Sequence, residues 1–312
     1  GQRGAFFSSE AAVAQCVNVV IIMGQGIILQ MNPSMGGYLS VYAIGITAGM
    51  ISLLWMARVP GGRGVDAAFK VQESYGAYVI AWRDRAFVRF VVTAALCFSS
   101  TAWFSSAIVL YMRDILAMPS WQIMAFMALG SAGVLFTIGY WGRFADHSGS
   151  GYAIFLTLIA HSVFVLVALT LAPGSAWTPV LLVCTILPTA AFGAAFWMSA
   201  HRALLNYVQE KGRVGYTNAW TVGTALSLGL TPILAGQAIE HFGMWGYRFC
   251  FLLSGAAGLA CAIASRWVVK DVEPIQDIRS RLFDPLLPVR TFARIAWITA
   301  GMHSSSRGRR SL

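Results

Sequence analysis

The sequence predicts an all-α integral membrane protein, a polytopic bundle of about eight transmembrane helices. Of its 312 residues, 57% are hydrophobic and only 11% are charged, whereas an ordinary soluble domain carries about 25% charged residues. The apolar residues fall into long continuous stretches rather than the short alternating segments of a barrel. This composition excludes a soluble globular enzyme and a disordered chain.

Eight stretches have the length of about 20 apolar residues that a span requires. Lys, Arg, Asp and Glu are almost absent from them. Each is predicted to be a helix, because a helix satisfies its own backbone hydrogen bonds in lipid. The predicted spans cover about 10–30, 37–57, 87–111, 122–142, 152–172, 178–200, 215–237 and 247–269.

Basic residues alternate among the connections. Those at 58–86, 143–151 and 201–214 carry Arg or Lys, as does the tail after 269. The intervening connections, with at most one Arg each, are 31–36, 112–121, 173–177 and 238–246. By the positive-inside rule, both ends of the chain are expected in the cytoplasm of a multi-pass protein of the cell membrane, plasma or inner. The net charge of +10 is thus a topology signal, and no nucleic-acid partner is expected.

Two segments outside the spans have their own character. The connection at 58–86 starts with Pro60-Gly61-Gly62 and continues as a predicted amphipathic cytoplasmic helix, so that it separates two spans from six. The tail at 271–312 contains an apolar stretch broken by Arg290 and Arg294, which suits a helix lying in the membrane interface.

A glycine and aspartate pattern lies between the fourth and fifth predicted spans. Gly142, Asp146 and Gly149 match the form G-x-x-x-D-R-x-G-R, with His147 and Ser150 in place of two basic residues. Together with the arrangement of two spans, a long connection and six spans, this motif resembles the major facilitator superfamily (MFS), with the first four of its twelve helices missing. The resemblance implies an MFS-like but incomplete bundle holding helices five to twelve.

The resemblance also divides the chain. Residues 1–60 would hold the last two helices of the N-terminal half, and 61–86 the cytoplasmic linker. Residues 87–270 would form the six-helix C-terminal half, followed by a cytoplasmic tail at 271–312. In this family the motif carboxylate ties the halves together in one conformational state, so Asp146 is expected to meet the helix that starts near Ser8, Ser9 and Glu10. The alternative is an ordinary solvated acid in a turn.

Polar and aromatic side chains inside the spans are candidates for the solute pathway, because polar groups are costly there. By the family's layout, several lie on cavity-lining helices. Each could instead pack between helices or bond to its own backbone. The candidates are Asn18, Gln25, Ser100, Trp103, Thr189, Phe192, Asn218 and Thr224.

Several chemistries have no support in the sequence. No phosphate-binding loop and no cluster of metal ligands is present, so no cofactor, metal or enzymatic activity is expected. No acidic residue lies in the middle of a span, and His161, on the expected peripheral ninth helix, is interpreted as a hydrogen-bonded structural residue. Either proton coupling resides in the missing N-terminal helices, or transport is uncoupled.

The resulting hypothesis is a secondary active transporter that moves a small solute across the bilayer by alternating access between two helical halves. Its expected partners are the small-molecule solute and the lipid bilayer, and we expect a monomer. The absence of buried charge favours a neutral or amphipathic solute. The alternative is a non-transporting polytopic membrane protein, either a membrane enzyme or a sensor whose polar spans only pack.

Overall fold

The computed structural model describes residues 3–32, 34–56, 76, 78–209 and 212–269, with side chains described from residue 12 onward and not for residue 56. Over these residues, eight helices are long and apolar enough to cross a membrane, which confirms the predicted all-α polytopic bundle. They are α1 (Arg3–Met31), α2 (Met35–Met56), α3 (Arg85–Asp114), α4 (Ser120–Ser148), α5 (Ser150–Val167), α6 (Thr178–Leu204), α7 (Arg213–Phe242) and α8 (Met244–Val268).

The helix ends follow from local sequence. Asp84 caps α3, since its carboxylate accepts hydrogen bonds from the backbone N–H groups of Ala86 and Phe87 at 3.0 and 3.2 Å. Gly149 alone connects α4 to α5, with φ 89° and ψ 155°. Only glycine adopts such angles without strain. Most helices are longer than the predicted spans, because the helical backbone continues past the apolar stretch into polar residues such as Arg113.

The helices pack in a fixed order around the bundle. α4 lies between α1 and α6, α5 lies between α6 and α8, and α3 lies between α8 and α7. The predicted linker is described only from residue 76 on, apart from residue 77, and is helical over 78–83. The predicted tail at 271–312 lies outside the described residues.

The connections define two ends of the bundle. We call the end with Asp84, Gly149 and the start of α7 the Gly149 end, and the opposite end the Asp114 end. At the Gly149 end, Phe90 stacks between Tyr207 and Trp220, with ring centroids 4.5 and 5.3 Å apart. These aromatic side chains are buried and fill the space between α3, α6 and α7. At the Asp114 end, the Tyr111 hydroxyl donates to the Leu171 carbonyl at 2.9 Å.

Small residues let α8 approach its neighbours closely. The Ser254 hydroxyl donates to the Ser100 carbonyl on α3 at 2.6 Å. A Cβ atom at Gly258 would overlap the Ser162 hydroxyl on α5. Ser254 and Gly258 are therefore packing residues of the kind found between membrane helices.

Candidate functional site

A cavity of about 220 Å³ lies between α3, α4, α5 and α6, just past the middle of the bundle toward the Asp114 end. We call it the α3–α6 cavity. It is bounded mostly by apolar and small side chains, with hydroxyls and one imidazole among them. Its lining residues are Thr101, Phe104, Ser105, Ile108, Met127, His161, Ile186, Thr189, Ala190, Gly193 and Ala194.

Hydroxyl groups supply much of the polarity of this cavity. Thr101 donates to the Phe98 carbonyl at 2.9 Å, and Thr189 donates to the Thr185 carbonyl at 2.6 Å. Because a hydroxyl that donates its hydrogen keeps two acceptor lone pairs, each can still accept a hydrogen bond from a solute. The described residues along this wall include no Lys, Arg, Asp or Glu. The cavity therefore suits an uncharged solute better than an ion.

A second cavity of about 310 Å³ lies between α4 and α6 and is lined by Thr137, Tyr140, Trp141, Ala191 and Phe192. The Phe192 ring stacks on Phe164 at a centroid distance of 5.9 Å and meets the Trp141 ring edge-on at 5.6 Å. Thr189 and Phe192 thus line two different cavities, although both are predicted pathway residues on α6.

Among the eight predicted pathway residues, Thr189 is the one that lines the α3–α6 cavity. Ser100 and Trp103 lie on the side of α3 that packs against α8. The Ser100 hydroxyl is buried and donates to the Cys97 carbonyl at 2.7 Å. The Trp103 ring meets Phe249 edge-on at 6.3 Å.

The other four predicted pathway residues lie on α1 and α7. Asn18 donates from its amide to the Ser131 hydroxyl on α4 at 3.1 Å, and Gln25 is half-buried on the same helix. Asn218 donates to the Tyr78 hydroxyl of the 78–83 segment at 2.8 Å. Thr224 is buried and donates to the Trp220 carbonyl at 2.9 Å.

The predicted motif forms a buried ion pair at the Gly149 end. Arg202, near the end of α6, donates from Nε to Oδ1 of Asp146 at 3.0 Å and from Nη1 to the Ser150 hydroxyl at 2.6 Å. The Asp146 side chain is only 2% exposed and that of Arg202 14%, so Asp146 is not a solvated turn acid. The expected contacts with Ser8, Ser9 and Glu10 involve side chains that the structure does not describe.

Sequence reasoning missed two residues. Arg202 was counted only as a loop charge, and its 56-residue separation from Asp146 gives no local signal. His161 was interpreted as a hydrogen-bonded structural residue, which is wrong: among the described residues, no hydrogen-bond partner contacts it, and it lines the α3–α6 cavity. The residues around His161 in the sequence are apolar and do not indicate that this side chain lines a cavity.

A second polar cluster joins α3 to α7 at the Gly149 end. Besides capping α3, Asp84 accepts hydrogen bonds from the Tyr216 hydroxyl at 3.2 Å and from the Gln209 amide at 3.5 Å. Tyr78 contacts Asn218 nearby. The last residues of the predicted linker therefore hold the starts of α3 and α7 together.

Long apolar helices, a partly polar cavity between them and a buried ion pair at one bundle end define a multi-pass helical membrane protein. The sequence model of the Major Facilitator Superfamily matches residues 91–303, more than half of the chain. The chain therefore belongs to the Major Facilitator Superfamily, a family of secondary transporters. No curated protein and no solved structure matches it. In the described residues, no three His, Cys, Asp or Glu side chains come together as a metal site.

Proposed function

We propose that this protein moves a small neutral or amphipathic solute across the cell membrane by alternating access between two helical halves. The observation that carries the proposal is the α3–α6 cavity, which lies inside a bundle of a transporter family and offers hydroxyls without any described charged side chain. Alternating access requires a ligand site near the middle of the bilayer, and the described wall of this cavity, all within residues 87–270, would form one side of that site.

The distribution of charge supports a topology with the Gly149 end in the cytoplasm. Arg143, Arg202, Arg213 and Arg266 all lie near this end of their helices. At the Asp114 end, Arg113 is paired with Asp114 at 2.6 Å. Both ends of the chain would then be cytoplasmic.

The packing supports a division into two halves. α1 runs along α4, and the Asn18 amide bridges the two helices through Ser131. We assign 1–60 to one half and 87–270 to the other, joined by 61–86 and followed by the tail at 271–312. The α1–α4 contact is then the interface across which the halves rock.

Asp146 is proposed to act in a conformational state rather than on the solute. It lies with Arg202 at the Gly149 end, and several helical turns separate it from the cavity. Replacing Asp146 by Asn should change the ratio of inward-open to outward-open states, measured by cysteine labelling from the two sides of the membrane. An unchanged ratio would remove Asp146 from the conformational mechanism.

Transport itself is tested with the protein produced from its complete coding sequence and reconstituted as a monomer into proteoliposomes. Uptake of a panel of labelled neutral and amphipathic solutes is expected above that of empty liposomes. Ala190→Trp, which fills the α3–α6 cavity, should abolish uptake, whereas Leu230→Trp, on an exposed face of α7, should preserve it. Absence of uptake for every solute would favour a membrane protein that does not transport.

A pH gradient across the same proteoliposomes tests proton coupling. Uptake driven by the gradient would establish proton coupling, for which the described wall of the α3–α6 cavity offers the His161 imidazole and no carboxylate. Uptake indifferent to the gradient would exclude proton coupling.

A further inference from the structure

We propose that His161 is a solute-binding residue of the α3–α6 cavity and that it selects an uncharged solute carrying a hydroxyl or carboxamide group. This inference rests on the proposed transport function and names the chemistry of its site. It adds a polar contact from α5, a helix that stands behind α6 and was not expected to reach the solute.

The path from His161 to the cavity passes Gly193 on α6. A Cβ atom added at Gly193 would lie 3.7 Å from Cδ2 and 4.0 Å from Nε2 of His161, so that this position faces the imidazole directly. Since glycine has no side chain, nothing at position 193 covers the ring. His161 consequently lines the cavity from the second layer of helices.

The imidazole is buried but has no protein partner. His161 is only 4% exposed, and no described residue forms a hydrogen bond with its side chain. Two other histidines in helices behave differently: His201 and His241 each contact the carbonyl four residues earlier, at 2.9 and 3.0 Å. The imidazole nitrogens are not among the fully enclosed, unpartnered atoms of the described residues, so they keep surface in the cavity, and a polar group without a protein partner there calls for a partner inside the cavity. A bound solute supplies one.

The surroundings of His161 define the kind of solute. The edge of the imidazole and the ring of Phe104 meet at right angles, 6.2 Å apart, which leaves one side of the site apolar. Thr101, Ser105 and Thr189 provide hydroxyls across the cavity. None of the described residues that line the cavity together with His161 is charged, and Ser162 beside it packs against Gly258. A charged solute would remain unpaired here, which is costly.

The hydrogen-bonding pattern narrows the solute further. A neutral imidazole presents one N–H donor and one nitrogen acceptor. A hydroxyl or a primary carboxamide can both donate and accept, so either group can satisfy it. A cavity of about 150 Å³ holds benzene, so the 220 Å³ found here fits a solute, or part of one, of about nine non-hydrogen atoms.

Cysteine labelling tests whether position 161 faces the cavity. In the complete protein without its native cysteines, His161→Cys and Thr189→Cys should react with a small water-soluble methanethiosulfonate, while Ser162→Cys should not. Adding Gly193→Leu should block labelling at position 161, and Gly193→Ala should leave it unchanged. Labelling at 189 without labelling at 161 would overturn the role of His161 and leave the cavity in place. Labelling at neither position would overturn both the role of His161 and the accessible cavity.

Ligand protection tests the solute class. Cyclohexanol, benzamide and erythritol serve as probes, each compared with the analogue in which every hydroxyl or amide hydrogen is replaced by methyl, so that only acceptors remain. At least one should protect Thr189→Cys from labelling, more strongly than its analogue, and His161→Ala should raise the half-protecting concentration about fivefold to tenfold. His241→Ala, the matched control, should not. Equal protection with and without His161, or protection by no probe, would overturn the proposal, while uptake in proteoliposomes separately tests transport.

Discussion

Arg202 donates a hydrogen bond to Asp146 over 3.0 Å, and this contact joins the last turns of α6 and α4. The same guanidinium reaches Ser150 at the start of α5. One arginine thus connects three helices at a point where the chain turns from α4 into α5. Because both side chains are largely buried, each charge needs the other as its counter-ion.

Replacing Asp146 by Asn should lower the free energy of unfolding by about 3 kcal/mol, because the buried Arg202 loses its counter-ion. Equilibrium unfolding of the purified protein in mixed micelles measures the change. Asp114→Asn is the matched control: its pair with Arg113 is exposed, with side-chain exposures of 39% and 62%, so a loss of less than about 1 kcal/mol is expected. Equal losses for the two variants would contradict a buried, stabilising pair.

Gly149→Ala should destabilise the protein by about 1–3 kcal/mol, because φ 89° with ψ 155° is strained for any residue with a Cβ atom. The unfolding midpoint in micelles provides the measurement. Gly229→Ala, on α7 with open space around it, should be neutral or slightly stabilising. A neutral Gly149→Ala variant would mean that the α4–α5 connection relaxes at little cost.

Gly258→Ala should cost about 1–3 kcal/mol, because the added methyl group overlaps the Ser162 hydroxyl across the α5–α8 contact. Ser162→Ala removes that hydroxyl, so the double variant should recover most of the lost stability. The same unfolding assay compares the single and double variants, with Gly236→Ala as a control at an open position. Additive losses would show that the overlap does not govern the packing.

Asp84→Ala should cost about 2 kcal/mol, roughly half from the lost cap of α3 and half from the lost acceptor of the Tyr216 hydroxyl. Asp84→Ser keeps a capping oxygen and should lose less. Tyr216→Phe isolates the hydroxyl contact. Should Asp84→Ser and Asp84→Ala prove equally unstable in thermal unfolding, the cap would not be the source of the effect.

The fold was predictable because hydropathy reports directly on the bilayer. A run such as 152–172 has no other stable environment, and the structure places α5 at Ser150–Val167 there, followed by a short 3-10 turn. The glycine pattern also located the turn at Gly149. The ends of α3 were less predictable, because Arg85 and Arg113 are polar yet still helical.

The site was less predictable, because the direction in which a side chain points depends on neighbouring helices. Thr189 is a predicted pathway residue because it carries a hydroxyl inside a span, and it does line the cavity. Nothing local shows that Trp103 faces α8 and Phe249. His161 reaches the cavity beside Gly193, a residue on another helix that has no side chain to cover the ring. Such information lies in pairs of positions far apart in the sequence.

The connection between α4 and α5 has a mechanical consequence. A connection of one residue, Gly149, leaves α4 and α5 little freedom to move apart. Arg202 links α6 to both helices through its hydrogen bonds to Asp146 and Ser150. A displacement of any of these three helices at the Gly149 end must therefore displace the other two. We therefore expect α4, α5 and α6 to move as one rigid unit. We expect α7, most of whose surface is exposed, to be the helix that moves relative to them.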